Sequence, residues 1–210
     1  MTLPHLMPAL TVFVMSLIAM ISPGPDFLCV LKNSLGHGFR AGAATALGIA
    51  SALWVHIAYC MVGLAVVIAQ SILMFNVIKW LGAAYLLYLA WHALRSKGWD
   101  DHMVRADRDP ALSPRRAFMQ GFVTNALNPK ATLFFLALFT QVIDPHTPIA
   151  VQLSYGAMIS GMGAVWFVAV AAVMTRPAIR TRFARISKWI DRACGAAFVA
   201  LAAKLALARQ

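Results

Sequence analysis

The chain has 210 residues, 61% of them hydrophobic and 12% charged, with a formal net charge of +11. A soluble domain carries about 25% charged residues, so the composition excludes an ordinary globular domain and points to a membrane protein. The three cysteines, Cys29, Cys60 and Cys194, form no Cys-x-x-Cys pair and no metal-ligand spacing; they read as small buried packing residues.

Six apolar segments of bilayer-spanning length follow one another: 6–35, 41–69, 72–94, 117–143, 149–175 and 190–208. No Lys or Arg precedes the first, and a helix breaker stands where a cleavage site would, so a signal peptide is not expected. That breaker is Ser22-Pro23-Gly24-Pro25-Asp26. Two prolines around a glycine end an α-helix. Within a membrane the freed backbone must be buried in protein or line a wet cavity, and a carboxylate at that depth marks a functional site.

The second segment contains His56, read as a packed, hydrogen-bonded histidine, with Gly42 and Gly48 as close helix contacts. Tyr85, Tyr88 and Trp91 in the third have helical spacing and read as a packing stripe. The fourth holds Asn125 and a second break, Asn128-Pro129-Lys130, at the position corresponding to Gly24-Pro25-Asp26. The fifth carries Gly156, Gly161 and Gly163, again read as close contacts.

Fourteen of the 18 basic residues lie in or beside the first, third and fifth connections, among them Arg95, Lys97, Arg105, Arg108, Arg115 and Arg116 in the third. The second and fourth connections hold none. By the positive-inside rule the odd connections are cytoplasmic and both termini are periplasmic. The basic charge is thus topological, and nucleic acid is not an expected partner.

The two halves resemble each other. Gly82-Ala83-Ala84-Tyr85 matches Gly195-Ala196-Ala197-Phe198, and Ala52-Leu53-Trp54 matches Ala164-Val165-Trp166. Three spans per half inverts one half relative to the other, and inverted repeats with broken helices in matching positions point to a secondary transporter. The expected fold is therefore all-α: a polytopic membrane protein of six transmembrane helices as two inverted three-helix repeats, with helices one and four broken. It is a single transporter domain, 1–210, with repeat one at 1–95, a cytoplasmic loop at 96–116 and repeat two at 117–210. Each break lies about 11 residues from the cytoplasmic end of its segment, about 16 Å deep and near the midplane.

Restarted helices would have Gly24 or Asn128 as N-cap, Pro25 or Pro129 in first position, and Asp26 or Lys130 next. Their N-termini suit a carboxylate, and the carbonyls released before each break suit an ammonium group. The expected substrate site is Ser22, Pro23, Gly24, Pro25, Asp26, Asn125, Asn128, Pro129 and Lys130. Asp26 is the one acidic residue inside the spans away from their ends. It is the proton-coupling candidate, because burial and a neighbouring cation act oppositely on a carboxyl group. The alternative for Asp26 is stabilisation of a first helical turn, worth up to about 1 kcal/mol. For Lys130 it is snorkelling, and for the asparagines it is interhelical hydrogen bonding.

Ser22 to Leu28, Asn33-Ser34-Leu35-Gly36-His37-Gly38 with Arg40 and Gly42, and Gly121-Phe122 through Asn125 to Asn128-Pro129-Lys130 together resemble the lysine exporter (LysE-type) family. The match is greatest to its branch of homoserine, threonine and neutral amino-acid exporters, the RhtB-like branch. The resemblance implies export of amino acids or their derivatives across the bacterial inner membrane, driven by the proton motive force. Its motif residues correspond to Pro23, Gly24, Pro25, Asp26, Asn128, Pro129 and Lys130. The expected partners are a small amino-acid substrate, a proton and the lipid bilayer, with homo-oligomerisation compatible. No cofactor, metal site or enzymatic activity is expected.

Three competing readings differ in class. A thiol-disulfide electron carrier needs a Cys in both the first and fourth spans, and 117–143 has none. An exporter of a divalent metal or other small metabolite is the alternative on the same architecture; for the metal, His or Asp clusters are required, yet 96–116 has only His102 among histidines. A purely structural membrane protein would transport nothing.

Overall fold

The structure is a computed structural model that describes residues 3–22, 24–70, 72–97, 112–142 and 147–207. Among them lie eight helices and no strand: α1 (Leu3–Ile21), α2 (Pro25–His37), α3 (Phe39–Gln70), α4 (Ile72–Leu94), α5 (Pro114–Ala126), α6 (Pro129–Val142), α7 (Ile149–Met174) and α8 (Pro177–Leu207). Two of them, α3 over Phe39–Gly63 and α7, are long and apolar enough to cross a bilayer unaided. Two bent pairs reach that length together: α1 with α2, at 54°, and α5 with α6, at 55°. These bends fall at the two breaks read from the sequence, where proline removes a donor and the chain must turn.

The boundaries of α3, α4 and α7 agree closely with the apolar segments. The last helix differs. The basic stretch before residue 190 was expected as a connection, yet α8 begins at Pro177 and runs 31 residues. Proline is pre-organised for a first helical position, and Arg, Ala, Lys and Ile alternate after it without a breaker.

The two half-helices on the side of the basic connections, α2 and α5, have 13 residues each. At 1.5 Å per residue both breaks lie about 20 Å from those helix ends, so they stand at one level. Between α2 and α3 the chain turns at Gly38, whose φ of 82° is one that side chains other than glycine rarely adopt.

The helix α3 packs along α7, and α4 along α8. The tightest crossing is between α3 and α5. A Cβ at Gly48 would collide with the Phe118 carbonyl oxygen, and one at Gly121 with the Thr45 carbonyl oxygen, so the two backbones touch through glycine on both sides. Gly42, Gly156 and Gly163 are close contacts as expected; Gly161 is not, since a Cβ there meets open space.

Two apolar clusters flank the level of the breaks. One, on α2, α3 and α7, contains Phe27, Leu31, Ile49, Phe167 and Met174. The other draws on α1, α3, α4, α6, α7 and α8, and contains Val12, Leu86, Phe135, Phe139, Tyr155 and Phe198. Met20, just before the first break, packs against both. Outward faces are apolar too: Val165, Met7 and Trp80 are each more than 60% exposed, as lipid-facing positions require. Tyr88 and Trp91 belong to this outer surface, so the aromatic stripe of α4 faces outward rather than inward; only Tyr85 turns partly in.

Candidate functional site

The first break is built by local rules. The N–H of Ser22 closes the last turn of α1 on the Ile18 carbonyl (3.1 Å), Gly24 is extended, and Pro25 opens α2 with Asp26 in its first turn. Pro23 lies outside the described residues. At the second break α5 ends at Ala126, and Asn128 caps α6, its Oδ1 accepting from the Lys130 backbone N–H at 2.9 Å. Both caps and both first-position prolines stand as read from the sequence.

What joins the breaks is a crossed pair of contacts. Asp26 Oδ2 accepts from Asn125 Nδ2 (2.9 Å) and from Asn128 Nδ2 (3.0 Å), both at the other break. Lys130 Nζ donates to the Ser22 carbonyl oxygen (2.8 Å), at the first break. Hydrogen bonds involving a charged group contribute about 1.5–3 kcal/mol each, so these contacts hold two chain segments a hundred residues apart in one place. Asn125 and Asn128 are buried, and Asp26 and Lys130 half-buried.

Two of the carbonyls freed at the first break, which the sequence left open to a ligand's ammonium group, are engaged from within the fold. Lys130 takes that of Ser22, and the Trp166 indole N–H takes that of Met20 (3.1 Å). At the second break the Tyr85 hydroxyl donates to the carbonyl of Pro129, the first residue of α6 (3.4 Å). Side chains from other helices thus satisfy part of what the first break released.

His56 is fully buried, stacked on Phe135 with ring centroids 5.5 Å apart. Its Nε2 faces the Asn125 carbonyl oxygen (3.0 Å) and so carries the proton, and its Nδ1 accepts from the Tyr59 hydroxyl (2.7 Å). This is the packed, hydrogen-bonded histidine expected, and it braces the residue that holds Asp26.

A cavity opens between the breaks. Its lining includes Ser16, Ser22, Gly24, Asp26, Asn125, Asn128 and Lys130, with Leu53, Phe134, Phe135, Ile159 and Phe167 supplying apolar walls. The space that the centre of a water-sized molecule can reach is about 50 Å³, room for a few waters in this conformation. Three buried side-chain oxygens of these residues have no hydrogen-bond partner among the described residues: Ser16 Oγ, Asp26 Oδ1 and Asn125 Oδ1. Of the nine residues expected at the site, Pro25 and Pro129 shape the backbone without lining the cavity, and the other six described ones line it.

Two polar groupings escaped the sequence. Asn33 Nδ2, two turns beyond Asp26 on α2, donates to Thr45 Oγ1 (2.8 Å) and Gln120 Oε1 (2.9 Å), tying α2, α3 and α5 together. An uncharged amide inside an apolar span was the available signal. Asp191, read as lying at a span's start, is buried on α8 and accepts from the Ser96 hydroxyl at 2.5 Å. Cys60 and Cys194 are buried and free; Cys29 is half-buried, its sulfur accepting from the Thr124 hydroxyl. Among the described residues no three His, Cys, Asp or Glu side chains gather as a metal site would require.

Comparison with known proteins gives the same family as the motifs. An uncharacterized membrane protein of Bacillus subtilis, YrhP, is 40% identical over 70% of this chain and 73% of its own. A homoserine/homoserine lactone efflux protein of Salmonella typhi is 31% identical over 92% of this chain and 93% of its own, and a threonine efflux protein of Escherichia coli 27% identical over 97% and 100%. No solved structure matches. The profile of the LysE type translocators matches residues 17–209, and the chain belongs to that family of membrane translocators.

Proposed function

We propose that the protein is a secondary active exporter of small amino acids, of the threonine and homoserine class or their derivatives, across the bacterial inner membrane. The observation that carries the reading is the meeting of two helix breaks around one carboxylate at a cavity, with each break bonded to the other. A broken-helix pair is the arrangement secondary transporters use to bind small polar cargo at mid-membrane. The relatives' names, threonine efflux and homoserine/homoserine lactone efflux, support the cargo class.

In this reading α1 with α2, α3 and α4 are the three spans of one repeat (1–95). After the cytoplasmic loop (96–116), α5 with α6, α7 and α8 are the inverted second repeat (117–210), and both termini are periplasmic. Asp26, Asn125, Asn128 and Lys130 form the site, with Ser22 and Gly24 at its wall and Pro23, Pro25 and Pro129 setting the turns. Asp26 exchanges the coupling proton: it takes one up from the periplasmic side as cargo leaves, and gives it to the cytoplasm before the next cargo binds.

Alternating access needs a seam that moves. The glycine crossing of α3 and α5 leaves no slack, so the repeats do not rock as intact halves. The proposed seam separates α4 and the two helices packed on it, α6 and α8, from α3 and the three packed on it, α2, α5 and α7. Lys130 and Asp26 stand on opposite sides of it. The Asn33, Thr45 and Gln120 cluster lies within the second body and ties α2, α3 and α5 together as it moves.

Inside-out membrane vesicles with an acidic lumen test this. Labelled threonine, homoserine or leucine should accumulate in wild-type vesicles, and Asp26→Asn should abolish the accumulation. If no amino acid accumulates, the exporter reading is wrong; transport intact in the variant would leave Asp26 a helix-start residue.

A further inference from the structure

We infer that Asp191 of α8 is the second seat of the Lys130 ammonium: as cargo enters the cavity, Nζ leaves the Ser22 carbonyl and pairs with Asp191. That the seated cargo is then carried across the membrane rests on the exporter reading; the two positions of Lys130 rest on the packing around it.

The Lys130 side chain fills space that cargo needs. It lies over Gly24, where a Cβ would stand 3.4 Å from both Cδ and Nζ, and its ammonium reaches the Ser22 carbonyl at 2.8 Å. All three residues line the cavity, which in this conformation has room for a few waters and none for an amino acid. Cargo must therefore displace the side chain. A displaced ammonium needs another acceptor, because an unpaired charge in an apolar interior is strongly disfavoured.

Asp191 is that acceptor by position and by charge. The Ile18 carbonyl accepts from both the Ser22 N–H (3.1 Å) and the Cys194 thiol (3.6 Å), so α8 meets the turn of α1 that leads into Ser22. Asp191 precedes Cys194 by three residues, on the same face of α8 and about 4.5 Å along its axis. The charges of Asp191 and Lys130 act on each other. Asp191 is buried, with the Ser96 hydroxyl on Oδ2, and a neutral donor does not balance a buried carboxylate.

The cations nearest to Asp191 in sequence face elsewhere. The Arg95 guanidinium lies over the Trp91 ring, 3.6 Å from its centroid, and that of Arg192 lies 5.3 Å from the Trp189 ring; both rings are exposed, as is Lys188. On α4, His92 and Tyr88 are exposed and the Tyr85 hydroxyl is bonded to Pro129. Two carboxylates thus share one ammonium, since Lys130 also acts on Asp26. With Nζ on Asp191, Asp26 loses that neighbouring cation and is open to the charge that cargo or a proton brings. Lys130 and Asp191 move together, because α6 and α8 both pack on α4. Asp191 touches neither cargo nor the coupling proton; it is a positioning residue for Lys130.

The test treats the wild-type protein in proteoliposomes with dicyclohexylcarbodiimide, which enters the membrane and joins a carboxyl group to an amine only where the two touch. The joined peptides are read by mass spectrometry, with and without an excess of threonine, homoserine or leucine. At least one of these should raise the product between Lys130 and Asp191 about fivefold or more, as a displacing ligand shifts a two-position equilibrium. Asp191→Asn keeps the size and an acceptor for Ser96; it should lower the maximal rate of uptake about tenfold with little change in KM, and Asp191→Glu should recover most of the rate. A product that does not form, or that forms equally without cargo, would overturn the proposal, as would uptake by Asp191→Asn at the wild-type rate. A cargo-dependent product without transport would keep the second seat and remove the exporter reading; transport without the product would do the reverse, and neither would remove both.

Discussion

Asp26 and Lys130 occupy the same place in their helices, the residue after the opening proline, and each reaches across to the other's break: the carboxylate to Asn125 and Asn128, the ammonium to the Ser22 carbonyl. Opposite charges at matching positions thus close a crossed bond between two chain segments, without pairing directly. Replacing Lys130 by Met keeps the bulk and leaves the Ser22 carbonyl without its donor. The expected loss is about 1–3 kcal/mol, read as a lower melting temperature of the purified protein, whereas Lys130→Arg should recover part of it.

Gly121 and Gly161 should respond in opposite ways to alanine. At Gly121 the added carbon meets the Thr45 backbone, which cannot yield as a flexible side chain does. Overpacking of that kind costs about 1–3 kcal/mol. Nothing lies within reach of a Cβ at Gly161, and within α7 alanine is favoured over glycine by roughly 0.5–1 kcal/mol. Thermal unfolding of the two variants, measured side by side, checks both signs.

Asn33→Leu removes the donor that ties Thr45 and Gln120 and leaves both acceptors unmet in an apolar seam. The α2–α5 face should then open more often. Native Cys29 reports this, because it lies on α2 with Thr124 of α5 as its partner. Labelling of Cys29 by a maleimide applied from the cytoplasmic side should rise several-fold, while buried Cys60 stays unlabelled. Unchanged labelling would show that the cluster does not hold α2 against α5.

His56 acts through Asn125 rather than as a carrier of protons. In His56→Phe the ring stack on Phe135 is kept and the bonds to the Asn125 carbonyl and the Tyr59 hydroxyl are lost. Uptake should fall at every pH with the shape of its pH profile preserved. A displaced profile would instead make the histidine a proton relay.

Much of the fold was legible before any coordinates, because in a membrane the period and length of apolar runs are dictated by the bilayer and by the need to satisfy every backbone group internally. The breaks at 22–26 and 128–130, the capping residues Gly24 and Asn128, and the restart at each proline follow from local backbone chemistry, so they could be read residue by residue. The helical character of the stretch from Pro177 was missed because charge had been taken as a sign of a connection, whereas Arg and Lys are good helix formers.

By itself the sequence determined an all-helical membrane chain with two interrupted spans and the family to which those interruptions belong. Only the tertiary structure decided which freed groups stay free. Lys130 and Trp166 come from distant parts of the chain and fill two of the carbonyls that looked open, and two asparagines turn their nitrogens to Asp26. The physical reason is that a local break fixes how many hydrogen-bonding groups are released, whereas their satisfaction depends on which side chains the packing of other helices brings within about 3 Å.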